Sequence, residues 1–290
     1  MGQMKKVVVI GCKGMAGHVV KTCLESTGLY DVWGIARGIV SGQKLINLDV
    51  SNTKELESIL DNGSFDVVIN CIGLLNKTAE DNPELAVWFN SYFPQLLATF
   101  GKKYNFKLIH ISTDCVFSGK EGGYKEDSFK NGIGFYAQSK ALGEVINAKD
   151  LTFRTSIIGP ELNENGIGLF HWFMNQNHEI FGYSEAYWSG VTTIELAKGI
   201  HEAIKQDLTG LYHFVNSSKI SKFDLVNEFN SNFRDGGINI ISKSDYKVDK
   251  SLINTRDDFN YTFSSYQIMI KEMKNWILDN RNLYKHYFIK

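Results

Sequence analysis

Cysteine is scarce here, and it clusters early: Cys12, Cys23, Cys71 and Cys115 are the only four among 290 residues. None stands in a CxxC spacing, and three fall in or beside apolar strand-like runs. That pattern fits a reducing, cytoplasmic compartment better than a disulfide framework or a zinc site. An excess of charge is missing too. A formal net charge of −1 gives no electrostatic reason to expect nucleic acid or an anionic membrane as partner. The seven histidines are scattered without an HxxxH pair, so no metal site is expected. No apolar run approaches the ~18 residues of a membrane span. The short run after Lys5 and Lys6 enters a glycine turn, which reads as a strand and not as a signal peptide. Internal repeats and low-complexity stretches are absent as well.

What remains is an ordinary globular composition, 43% hydrophobic and 22% charged, in a chain long enough for one large domain or two fused ones. Residues 6–10 form a β-branched run with the composition of a buried parallel strand. It leads into Gly11-Cys12-Lys13-Gly14-Met15-Ala16-Gly17 and then a helical apolar pattern (Val19, Val20, Cys23, Leu24). Strand, glycine turn and helix are the context that a dinucleotide-binding fingerprint requires, with a pyrophosphate at the helix N-terminus. The spacing is GxxGxxG. A second strand, 30–36, ends at Arg37, twenty residues past Gly17, where an NAD-selective site places an acid for the ribose 2′-hydroxyl. A guanidinium there suits a 2′-phosphate, which favours NADPH while leaving NADH open. Asp49, closing a third strand at 45–48, could accept from an adenine amino group or cap the next helix.

Further strands are expected at 65–73 and 107–111, and a last strand of the sheet at 153–158. The intervening helices are expected at 53–60, at 83–104 with Asn90, and at 136–148. Six β–α steps at this rhythm predict an α/β, Rossmann-type doubly wound parallel sheet. Residues 1–160 would form the NAD(P)-binding domain, and 161–290 a smaller C-terminal α/β substrate lobe exchanging segments with it. Cofactor contacts are expected from Gly11, Lys13, Gly14, Met15, Gly17, Arg37, Asp49, Val50, Cys71, Ile72, Gly73 and Asn90, together with Tyr136 and Lys140.

The chemistry concentrates in residues 107–148. A buried strand ends in Ser112 and Thr113, and a helix follows that carries Tyr136 and, one turn later, Lys140. At that spacing a phenol and an ammonium share a helix face, about 5–6 Å apart at Cβ. A neighbouring cation favours the phenolate, so the pair can make tyrosine a usable proton donor or acceptor.

These motifs, in this order, resemble the extended short-chain dehydrogenase/reductase superfamily, and within it the dTDP-4-dehydrorhamnose reductase family. The resemblance is carried by Ile111-Ser-Thr-Asp-Cys-Val-Phe-Ser-Gly119, Tyr136-Ala-Gln-Ser-Lys-Ala-Leu-Gly-Glu144 and Arg154-Thr-Ser-Ile-Ile-Gly159. It is dense to residue 160 and thinner beyond. It implies NADPH- or NADH-dependent reduction of a 4-keto group on a nucleotide-linked 6-deoxysugar, for cell-surface polysaccharide precursors. It also implies Thr113, Tyr136 and Lys140 as the catalytic group, with Lys140 lowering the Tyr136 pKa. Two departures stand out: Cys115 where the family usually has Tyr, and Tyr187–Thr193 in place of its D-Q-x-G-x-P-T segment.

Substrate contacts beside Thr113 are expected from Asp114 and Cys115 and, in the second half, from Trp188, Thr193 and Arg256. Helices are expected at 193–206, 221–232 and 266–279, and a strand at 210–216. The helices at 83–104 and 136–148 offer faces for a homodimer. Two rival readings stay open: a nucleotide-sugar epimerase with tightly bound NAD, and a non-catalytic dinucleotide-binding subunit. The sugar, the nucleotide and the product stereochemistry are not legible.

Overall fold

A computed structural model describes residues 4–289. Alternation begins at once. In strand β1 (Lys5–Ile10), Val7 and Val9 enter one apolar core while Val8 and Ile10 enter another on the opposite face. A strand buried on both faces needs helices on both sides, which βα crossovers provide. The first half supplies α1 (Met15–Ser26), β2 (Tyr30–Ala36), β3 (Leu45–Asn47), α2 (Thr53–Gly63), β4 (Val67–Asn70), α3 (Asn76–Asp81), α4 (Pro83–Ala86), α5 (Phe93–Tyr104), β5 (Lys107–Thr113), α6 (Phe135–Leu142) and β6 (Leu151–Thr155). The second half adds β7 (Ile157–Ile158), α7 (Leu169–Met174), β8 (Ile180–Tyr183), β9 (Ala186–Trp188), β10 (Val191–Thr192), α8 (Thr193–Lys205) and β11 (Gly210–His213). It closes with β12 (Ile220–Ser221), α9 (Lys222–Phe233), β13 (Ile240–Lys243), β14 (Val248–Asp249) and α10 (Tyr266–Asp279).

Seven of these strands make one parallel sheet in the order β11-β6-β5-β4-β1-β2-β3. The order reverses between β1 and β4, so the ligand crevice of an open α/β sheet falls at their carboxyl ends. The remaining strands form three small sheets, β10-β7, β12-β9-β14 and β13-β8.

Three expectations change. The sheet does not end at 153–158: β6 stops at Thr155, and β11 pairs outside it, Leu211 opposite Thr152. The 83–104 helix is not uniform; residues Val87–Tyr92 form a π-helical turn carrying Asn90, a local widening common near functional sites. The helix expected at 136–148 starts at Phe135 and stops at Leu142. Gly143 lies so close to the Asn90 carbonyl that any side chain there would collide with it.

Candidate active site

The crevice holds three adjoining cavities. The first, about 340 Å³, is lined by Gly11, Lys13, Gly14, Arg37, Asp49, Val50, Ile72 and Gly73. Gly11 turns the chain at φ 85, and a Cβ on Gly17 would run into the Gly11 carbonyl, so α1 packs directly on the turn. Gly17 thus acts by close packing and not by facing the groove. Asp49 does not cap α2; that role falls to Asn52, which accepts the Glu55 N–H. Instead Asp49 accepts from the Ser51 N–H and hydroxyl, which hold its carboxyl below the usual range, and it faces Arg37 at 3.5 Å. Arg37 itself is 79% exposed, so this pair constrains it little.

The second cavity, about 540 Å³, shares Lys13, Gly14, Ile72 and Gly73 with the first and reaches Met15, Cys71, Thr113, Tyr136 and Lys140. Thr113 ends β5, and its hydroxyl accepts the Cys115 N–H at 3.2 Å. Lys140 is buried and donates to the Ile111 carbonyl at 2.7 Å. Burial lowers its pKa to about 8, with Glu144 and Cys71 opposing. Burial likewise raises the Tyr136 phenol above its ordinary value; Cys115 and Asp114 add to this, and the Thr113 hydroxyl opposes it. The direction is opposite to the lowering expected from Lys140. At neutral pH the phenol is held protonated, the form in which an acid can donate.

Asn90 was expected to touch cofactor. Its side chain is instead taken up within the protein: Oδ1 accepts the Leu74 N–H at 2.8 Å, and Nδ2 donates to the Leu74 carbonyl and to Ser139 Oγ. It holds the turn after β4 against α6. Glu80, which sequence reasoning missed, accepts the N–H groups of Phe135 and Tyr136 at 3.0 and 3.1 Å and so caps α6 from α3.

The third cavity, about 710 Å³, opens from the second past Asp114 and Cys115 and runs between aromatic walls, Trp172, Tyr187, Trp188 and Tyr246, toward Lys222 and Lys250. Lys222 stands 5.2 Å above the Trp188 ring, and Lys250 donates to Cys115 Sγ at 3.4 Å. Neither lysine was anticipated, because each lies alone in an unremarkable stretch of sequence. Trp188, Asp114 and Cys115 therefore reach the cleft; Thr193 and Arg256 do not. Thr193 is fully buried at the head of α8, packed on Gly159. Arg256 donates to the carbonyls of Thr209 and Leu211 and pairs with Asp258, so it sits at the start of β11, the opposite end of the parallel sheet from Thr113.

Buried histidines give the fold a pH dependence. Burial lowers the pKa of His18 and His110, and takes His213 to about 4, with the Arg154 charge adding to the effect. In the unfolded chain these groups titrate near ~6.5. Below that pH the unfolded state takes up protons that the native state refuses, so stability present above pH ~6.5 is lost as the pH falls toward 4. Asp114, raised by burial, acts in the opposite direction. The melting temperature should fall between pH 7.5 and pH 5; a flat or rising profile would contradict this balance.

A doubly wound sheet with a glycine turn at its switch point is the organisation of a Rossmann-type dinucleotide-binding protein. Within that class the chain belongs to the RmlD substrate binding domain family, whose model matches residues 4–249. It is 28% identical over 242 residues to a dTDP-4-dehydrorhamnose reductase of Aggregatibacter actinomycetemcomitans, covering 77% of each chain. The crystal structure of a hypothetical dTDP-4-dehydrorhamnose reductase from Sulfolobus tokodaii superposes with a TM-score of 0.73 at 25% identity, over 85% of this chain and 91% of that one. A Bacillus anthracis dTDP-4-dehydrorhamnose reductase in complex with NADP shares the fold, with a TM-score of 0.76 at 22% identity over 93% and 98% of the two chains.

Proposed function

We propose that this protein is an NADPH-dependent reductase of the 4-keto group of a nucleotide-linked 6-deoxysugar, supplying cell-surface polysaccharide precursors. The observation that carries the reading is the continuity of the three cavities: glycine turn and Arg37 at one end, Thr113, Tyr136 and Lys140 at the middle, aromatics and two lysines at the other. Membership of the family and the reductase names of its relatives support it.

NADPH supplies the hydride when bound. Gly11, Lys13, Gly14 and Met15 would hold its pyrophosphate at the positive end of α1, and Arg37, just past β2, its 2′-phosphate. Asp49 and Val50 would flank the adenosine, and Cys71, Ile72 and Gly73 would support the inner half. Tyr136 gives its proton to the developing alkoxide, Thr113 holds that oxygen in line, and Lys140 steadies the cofactor end of the cleft. Trp188 and Tyr187 would pack on the nucleoside, while Lys222 and Lys250 would meet the diphosphate, both cations being compatible with its charge. Residues 161–290 provide this lobe, and residues 1–160 most of the dinucleotide site.

Among the described residues no helix is long and apolar enough to cross a membrane. We place the enzyme in the cytoplasm, with its unpaired thiols. Exposed Tyr92, Phe135, Leu142 and Ile146 on neighbouring elements support a homodimer through this face.

The test is loss of absorbance at 340 nm when enzyme and NADPH meet a panel of nucleotide-4-keto-6-deoxysugars. Oxidation with one panel member is expected; tightly co-purifying NAD and no net oxidation would turn the reading to the epimerase. Arg37→Ala should raise KM for NADPH about 10- to 100-fold, the worth of a charge-assisted contact, and leave KM for NADH nearly unchanged. Equal effects on both cofactors would remove the 2′-phosphate role.

A further inference from the structure

The peptide that joins the glycine turn to helix α1 is held from the far end of the chain. His18, one turn into α1, is buried, and its Nδ1 lies 2.8 Å from the Gly14 carbonyl oxygen. A carbonyl can only accept, so Nδ1 carries the proton and Nε2 must accept. The partner that donates to Nε2 is the Tyr284 hydroxyl, 2.7 Å away and 266 residues on. Trp276 Nε1–H donates in turn to the Tyr284 oxygen at 2.9 Å. The hydrogen bonds thus run in one direction, Trp276 to Tyr284 to His18 to Gly14, with each donor and acceptor matched. Tyr284 is 1% exposed, and its ring meets the His18 imidazole edge-on with centroids 5.7 Å apart.

Gly14 C=O and Met15 N–H belong to one planar peptide, with the two groups on opposite sides. Fixing the carbonyl toward His18 therefore fixes the direction of the Met15 N–H, and Gly14 and Met15 both line the cleft where the dinucleotide groove meets the reaction centre. Without the relay, the carbonyl keeps only its bond from the His18 backbone N–H at 3.1 Å.

We propose that Tyr284 and His18 are positioning residues for the cofactor: the C-terminal segment orients the Gly14–Met15 peptide and so sets the affinity for a dinucleotide phosphate. The inference rests on the proposed use of NADPH but not on the identity of the sugar. Its test is therefore a binding titration, following NADPH fluorescence with full-length enzyme.

Tyr284→Phe keeps the ring and removes the hydroxyl. The dissociation constant for NADPH should rise about fivefold or more, the worth of a lost buried hydrogen bond. With substrate present, KM for NADPH should rise by more than kcat falls. Trp276→Phe, at a partly exposed position, removes only the last donor and should raise the constant in the same direction by less; it keeps the test open if Tyr284→Phe fails to fold. A purely structural role would lower the melting temperature and leave NADPH affinity at its wild-type value in both variants, and that result would overturn the proposal. Wild-type enzyme that binds NADPH yet reduces no 4-keto sugar would overturn the reductase reading and leave this inference standing.

Discussion

Tyr136→Phe is expected to lose turnover by about 10²- to 10⁴-fold, the usual worth of a positioned general acid, while NADPH affinity stays within a few-fold of wild type. The phenol is partly exposed to the cleft, on the first turn of a helix whose leading N–H groups are tied to Glu80 and whose body is braced by Asn90 and Ser91 through Ser139. Phenylalanine keeps the ring and its packing and removes the hydroxyl, and with it the proton to be donated. Because burial raises the Tyr136 pKa, the wild-type group arrives charged with its proton at neutral pH. Steady-state kinetics beside an NADPH titration separate the two effects. Full activity in this variant would remove Tyr136 from the mechanism.

The second large effect concerns stability. Arg154 and Glu144 are both almost wholly buried and meet in two parallel hydrogen bonds, Nε to Oε1 at 2.7 Å and Nη2 to Oε2 at 2.8 Å. Burial alone would raise the Glu144 carboxyl, but Arg154 and Lys130 hold it below its ordinary value. Ser112 Oγ donates to the same carboxylate, and Arg154 Nη1 bonds His213 Nε2. Arg154→Ala would leave a buried carboxylate with Ser112 and the partly exposed Lys130 as partners, at a cost of about 3–5 kcal/mol. For a chain of this size that corresponds to a melting temperature lower by roughly 10 °C. The double variant Arg154→Met/Glu144→Leu, which removes both charges, should recover much of that loss. Calorimetry of the two variants decides: equal melting points would mean that the loss in Arg154→Ala does not come from the unpaired Glu144 carboxylate.

The contrast between local and distant signals explains what could be read from the chain. The glycine turn, the strand-end Thr113 and the Tyr136–Lys140 pair are each defined within a few residues, so pattern and spacing sufficed to bring them to one cleft. Trp188 lines the third cavity. Thr193 does not, because the pairing of β10 with β7 sets it against Gly159, and Arg256 does not, because it is tied to β11, a strand that joins the sheet from the second half and leaves no mark in the first. The end of α6 was misjudged for a similar reason. Residues 143–148 suit a helix by composition, yet the helix stops at Leu142, where Gly143 is pressed against the Asn90 carbonyl, a contact across the fold. Lys222 and Lys250 stand 28 residues apart in sequence, and only the folding of the second half brings both to one cavity. The links from Glu80 to α6 and from Tyr284 to His18 are likewise invisible to periodicity.

The most direct test of the central claim follows the hydride itself. Enzyme, a nucleotide-4-keto-6-deoxysugar that it accepts and NADPH deuterated at the nicotinamide C4 would be combined, and the sugar product examined by mass spectrometry and NMR. Net reduction predicts one deuterium per product, bound at sugar C4, with one NADPH consumed for each. Product without deuterium, or an isomer formed with no NADPH consumed, would contradict the reductase and point to chemistry that returns its hydride within a single cycle.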